Sequence, residues 1–296
     1  MVSTDGSTRP GMRRLLFIAG VLVAIAGIQL FVMTEHTAAY FAWTIAPPKN
    51  LYLTAAFVGA AYWASACLEI VAARETDWSV LRLSIPAVFT FTSLTLVYTL
   101  IHIDLFHLGP PLGAPATGMA LVAGWAWLIV YVAVPPWLSW QWWKQARAFA
   151  DRAASGGADA RGDGTPAAAA IATDVPSAPH SPIPPMLLRA LLALQAAVMG
   201  GVGVALFLRP SLAPSLWPWA LTPLTARSIA AWLMAFAVAA VTAVRANDLR
   251  RVRGPIMAYL ALGVLQLVAV ARYAGEVDWA SAGMWVYTAF LVSVVG

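Results

Sequence analysis

Eight apolar runs of roughly twenty residues recur along this chain, and that is the length an α-helix needs to cross the hydrocarbon of a bilayer. They are Leu15–Met33, Leu51–Ala73, Val80–Ile101, Thr117–Trp140, Met186–Leu208, Thr225–Val244, Pro255–Ala271 and Ala280–Val295. One soluble core has no room for so much apolar surface. Hydrophobic residues make up 61% of the 296, and charged residues only 10%, against about 25% charged in ordinary soluble domains. The expected fold class is all-α: a polytopic helical membrane protein of about eight transmembrane helices. The run after Arg13 and Arg14 is longer than a signal-peptide h-region and no A-x-A site follows it, so it reads as a retained helix.

The runs fall into two sets of four. Arg13-Arg14-Leu15-Leu16 matches Arg189-Ala190-Leu191-Leu192 at an offset of 176, and Gly27 and Leu30-Phe31 match Gly203 and Leu206-Phe207 at the same offset. Trp43 through Pro47 matches Trp219 through Pro223 likewise. After a five-residue gap, Leu53 through Arg74 meets Leu224 through Arg245, and Arg82 and Pro86 then fall on Arg251 and Pro255. These matches predict a tandem duplication: a disordered N-terminus 1–12, a first four-helix repeat 13–141, an interfacial helix and flexible linker 142–185, and a second repeat 186–296. An even number of spans per copy gives both copies one orientation, related by a pseudo-two-fold axis along the membrane normal. The Trp- and Pro-rich segments 40–48 and 216–223 are too short to span. They read either as outer surface hairpins or as re-entrant elements against a cavity.

Basic residues set the orientation. With the N-terminus inside, only Lys49, Arg209, Arg227 and Arg272 of the 18 Lys and Arg fall outside, so both termini are expected at the cytoplasmic face of the cell membrane. Trp140-Gln141-Trp142-Trp143-Lys144 reads as an interfacial belt. The high pI follows from this placement and not from a nucleic-acid footprint; the partners expected are the lipid bilayer and, with it, a membrane protein or a second copy. The lone Cys67 excludes intrachain disulfides and Cys-based metal sites.

Candidate chemistry lies in the polar residues of the spans. Thr92, Thr95, Thr99 and His102 recur at steps of three, four and three, so they share a face of the third helix. The second copy carries Ala261, Val264, Val268 and Ala271 there. Glu69 is the carboxylate well inside a span, with Ala240 as its counterpart, and acids at membrane depth are costly enough to mark function. Its duller reading is an ion pair with Arg74 or Arg82. His102, Asp104 and His107, with His36, are candidate ligands for a divalent metal, provided the helix breaks before His107. Two histidines on different helices would serve a haem; otherwise these are interfacial histidines bonded to carbonyls and water. Gln29, Gln195 and Gln266 read as interhelical packing groups.

No P-loop, HExxH or GxSxG occurs, and no lysine lies inside a span. The leading expectation is a transporter-like or channel-like protein, no enzyme, with an outward-facing polar cavity and Glu69, Thr92, Thr95, Thr99 and His102 along its path. The alternatives are a membrane-embedded redox, metal or haem protein, and a non-catalytic accessory or scaffold subunit. A reporter fused to the C-terminus should read as cytoplasmic; a signal from the opposite face of the membrane would reverse the topology.

Overall fold

The computed structural model describes residues 8–45, 52–159 and 185–296. Residues 1–7, the stretch 46–51 with Pro47, Pro48 and Lys49, and most of the expected linker (160–184) lie outside the described residues. The principal elements are α1 (Pro10–Gly27), α2 (Leu53–Arg74), α3 (Ile85–Ile101), α4 (Gly118–Asp159), α5 (Met186–Leu208), α6 (Pro223–Ala246), α7 (Arg253–Arg272) and α8 (Ala282–Val295). Six of them are long and apolar enough to cross a membrane; α3 and α8 are shorter apolar helices. The chain is thus a helical membrane protein by composition and length.

Local sequence explains where the helices begin and end. Proline occupies the first turn of α1, α3 and α6, where a missing N–H costs nothing. Thr222 and Thr225 form a reciprocal cap on α6, and Asn247 ends that helix in the left-handed region at φ 50°. α1 continues through a π-turn, Ile28–Val32. α4 passes through Pro135 and Pro136 without ending. The sequence ends this span at Trp140 and expects a separate interfacial helix after it; the two form one helix that runs on to Asp159, because the Ala- and Arg-rich stretch is polar yet helix-favouring.

α1 and α2 pack as one hairpin, and α5 and α6 as another. Between these pairs α2 lies on α7 and α3 on α6, while α4 and α8 flank α3 and α7. α2 is the most enclosed helix, buried through Ala55, Ala56, Gly59, Ala60 and Ala64. Small residues matter here because lipid gives helices no hydrophobic reason to associate, so close van der Waals packing must supply it. At Gly59 the backbone of Phe31 comes so near that a Cβ would collide with the Phe31 nitrogen.

Side chains bond across these interfaces. The fully buried Gln266 of α7 donates from Nε2 to the Phe57 carbonyl of α2 (3.0 Å), while its Oε1 accepts from Tyr287 on α8 (3.1 Å). Gln195 of α5 donates to the Ser293 carbonyl and hydroxyl, both at 3.0 Å. Trp219 donates to the Thr54 hydroxyl at 2.8 Å. Three arginines cover carbonyls at the ends of neighbouring helices: Arg13 that of Ala73 (2.9 Å), Arg227 that of Phe207 (3.1 Å) and Arg272 that of Phe31 (2.6 Å). Each supplies a charged donor to a group left over at a helix C-terminus. Within α4, past Pro136, Lys144 and Arg147 sit over the rings of Trp140 and Trp143, an arrangement suited to an aromatic and basic belt.

The loop after α1 is folded into the protein. Trp43 is 1% exposed, bridges Phe106, and has the rings of Phe41, Trp127 and Phe106 within 4.6 to 5.2 Å of its own. Trp219, on the matching loop, is also buried. Neither tryptophan sits on an outer surface hairpin.

Replacing Gly59 by Ala should separate α1 from α2 and destabilise the fold by about 1–3 kcal/mol, the usual cost of overpacking. A thermal melt of the purified variant checks this, and an unchanged midpoint would contradict the tight crossing.

Candidate functional site

α2 carries Tyr62, Ser65 and Glu69 at steps of three and four, hence on one face. Glu69 is 4% exposed. Its Oε1 accepts from the Ser65 hydroxyl at 2.9 Å, and its Oε2 is buried without a partner. No bond links it to Arg74 or Arg82, both of which are exposed. Gly20 of α1 makes room on one side: a Cβ there would stand 3.4 Å from that of Glu69. On the other side, Ser65 borders a cavity of about 30 Å³ where α2, α3, α6 and α7 meet. That volume accommodates a water molecule or two. Its remaining lining is apolar, including Leu68, Phe91 and Trp232, so it lacks the oxygen ligands a metal cation needs.

Further along, Tyr62 and Tyr131 of α4 share a hydrogen bond between hydroxyls at 2.9 Å. Tyr98 of α3 is fully buried and donates to Ser228 of α6 at 3.5 Å. Phe91 stacks on Trp232, with centroids 3.7 Å apart, and Tyr62 meets the same indole edge-on. A hydroxyl both donates and accepts, so paired phenols and alcohols beside a carboxyl can pass a proton without carrying a lasting charge.

Thr92, Thr95 and Thr99 of α3 are buried, as one shared face predicts, while Thr90, off that face, is half-buried. Thr92 bonds back to the Val88 carbonyl (2.9 Å). Thr99 bonds back to that of Thr95 (2.7 Å) and accepts from the Trp127 indole (3.0 Å). Such back-bonding is the ordinary state of a hydroxyl in an apolar helix. Thr95 lies fully buried beside Tyr98.

His102 caps the C-terminal end of α3, and its Nε2 accepts from the Arg227 guanidinium at 2.7 Å. Partial burial and then the Arg227 charge hold the imidazole below its ordinary value, with Asp104 opposing them. Among the other histidines, His107 is buried, with Nδ1 donating to the Phe41 carbonyl (2.7 Å) and Nε2 bonded to Thr44 (3.1 Å). Both nitrogens are committed to holding the inward-folded loop. His36 and Asp104 are exposed. Among the described residues no three His, Cys, Asp or Glu are grouped to hold a metal, and with both its nitrogens engaged His107 does not fit a metal or haem ligand.

Sequence inspection selected Glu69 and the threonines. It passed over Tyr62, Ser65, Tyr98, Tyr131 and Ser228, although the spacing from Tyr62 to Glu69 is itself a helical-face signal. It gave no sign that Arg227 meets His102, which are 125 positions apart.

Because the His102 imidazole is held below its unfolded value near 6.5, the unfolded chain binds more protons than the folded one as pH falls through that region. Stability should therefore decline from pH 7.5 toward pH 5.5. Replacing His102 by Gln, which still offers an acceptor to Arg227, should remove that component. Melting temperatures of both proteins across this range provide the check; parallel curves would contradict it.

No protein-family model, curated protein or solved structure matches the chain, so function has to be read from these side chains.

Proposed function

We propose that this is a transporter-type protein of the cytoplasmic membrane that moves protons or couples another solute to them, with Glu69 as the group that accepts and releases the proton. The observation that carries it is the burial of Glu69 with one carboxyl oxygen unpartnered and no cation bonded to it. Burying a carboxyl this way is expensive, and a stability role would be served better by an apolar residue. The second half of the chain does so with Ala240. The hydroxyls of Ser65, Tyr62, Tyr131 and Tyr98 supply stepping groups toward the outer end, where His102 and Arg227 meet.

The scaffold in this reading has eight spans in two parallel four-helix repeats, 13–141 and 186–296, with both termini cytoplasmic. Reciprocal packing favours it: the second helix of each half lies on the third helix of the other, α2 on α7 and α6 on α3. So does the arginine cover on matched carbonyls, since Phe31 and Phe207 are aligned positions. In such an architecture the crevice beside Ser65 falls near the axis between the repeats, where parallel-repeat transporters carry their sites.

The test is proton flux into liposomes containing the purified protein and a trapped pH dye. Glu69→Gln preserves the shape and the Ser65 bond and should reduce flux at least about tenfold, the scale of losing an essential proton-transfer group. Flux unchanged in a Glu69→Gln, His102→Ala double variant would overturn the proposal.

A further inference from the structure

A crevice of about 310 Å³ runs between the first turns of α3 and the middle of α4, walled by Ile85, Pro86, Phe89, Leu138, Ser139 and Trp142. The Ser139 hydroxyl is spent on the Pro135 carbonyl at 2.9 Å, so the walls are essentially apolar. A second hollow, of about 390 Å³, shares Ser139 and is bordered by Pro136, Trp140 and Trp143. Helical spacing puts Pro136, Trp140, Trp143 and Arg147 on one stripe of α4, at steps of four, three and four. Lys144 lies beside that stripe, one turn past Trp140. Its ammonium stands 4.3 Å from the Trp140 ring centre, and the Arg147 guanidinium 3.9 Å from that of Trp143. Two cations thus cap the rings that border the hollow, one to two turns beyond the apolar crevice.

Among the described residues neither cation meets a carboxylate. From Trp140 to Arg152 the chain carries Lys144, Arg147 and Arg152 against the single acid Asp151. A ring face attracts a cation and leaves its N–H groups free to donate elsewhere. The segment is also held in place from behind: the Gln145 carboxamide accepts from the Arg9 backbone N–H at 3.2 Å, and Trp142 meets Trp78 at 5.2 Å between centroids.

We infer that this part of α4 binds one anionic phospholipid, its phosphate at Lys144 and Arg147 and an acyl chain in the crevice against Pro86 and Phe89. A guanidinium fork matches two phosphate oxygens, and the ammonium adds a second charged donor. A zwitterionic headgroup would bring its own cation to a site already in excess of positive charge, so the net-anionic lipid is preferred. Basic residues where a helix leaves the bilayer attract anionic lipid in general; the crevice beneath them makes this a place for one molecule. A soluble phosphate would use the cations alone, whereas a phospholipid uses both features.

Native mass spectrometry of the full-length protein in detergent tests it, with phosphatidylglycerol titrated in one arm and phosphatidylcholine of the same acyl chains in the other. The unaltered protein should retain phosphatidylglycerol in preference to phosphatidylcholine. Lys144→Gln with Arg147→Gln should weaken that binding about thirtyfold, the scale of two cations at an anionic surface. Arg245→Gln with Arg250→Gln removes the same charge from exposed positions in the second half and should leave it unchanged. Ser139→Trp fills the junction of crevice and hollow and should also weaken it. Unchanged melting temperatures show that the variants are folded, and the comparison of the two lipids on the unaltered protein needs no variant. Equal retention of both lipids overturns the inference, as does equal weakening in the two double variants. Unchanged binding in Ser139→Trp overturns the seat given to the acyl chain. Displacement by glycerol 3-phosphate alone overturns the lipid in favour of a soluble phosphate.

Discussion

The contact between Gly59 of α2 and the backbone of α1 at Phe31 sets the geometry on which much of the molecule depends. Helices in lipid gain nothing from hiding apolar surface from one another. They hold together only if backbones come near enough for dense packing and for polar groups to reach across. The small-residue face of α2 makes that approach possible on several sides at once. With α1 and α7 drawn close, Arg272 reaches the Phe31 carbonyl and Gln266 reaches that of Phe57. Widening this spacing would strand both donors among apolar groups.

The same enclosure gives Glu69 its character. A carboxyl on a lipid-facing or loosely packed helix would find water or an arginine. Here α1 closes over it at Gly20, and its nearest polar companion is the hydroxyl one turn earlier on its own helix. The arginines that might have paired with it are engaged elsewhere or lie at the surface: Arg13 covers a carbonyl at the end of α2, and Arg74 is exposed. The two halves of the chain therefore differ in chemistry, with the acid and the paired phenols in the first and a larger apolar cavity bordered chiefly by the second.

Hydropathy located the helices well because a span has one dominant requirement; the bounds read for α5, Met186–Leu208, are those of the helix itself. The details that depend on backbone hydrogen bonding were not legible. Nothing in Ile28–Val32 announces a π-turn, and nothing around Trp140 shows that the interfacial helix expected after it is continuous with the span before it. At the site, the threonine stripe was readable from spacing alone, since a single helix fixes which of its residues share a face. The partnerships of His102 with Arg227 and of Tyr62 with Tyr131 were not, because they depend on which helices become neighbours. The inward fold of the Trp43 loop was hidden for the same reason: His107 anchors it from 66 positions away.

The reciprocal packing of α2 on α7 and α3 on α6 also bears on how such a chain is made. Synthesis delivers α1 to α4 to the membrane first, and at that moment none of the partners of α2 from the later half exists. The Thr54 hydroxyl waits for Trp219, the Phe57 carbonyl for Gln266 and the Phe31 carbonyl for Arg272. The early half can enter the bilayer, but it cannot finish folding there by itself. Its interior is completed only as α7 arrives, so assembly of the first half is timed by translation of the second.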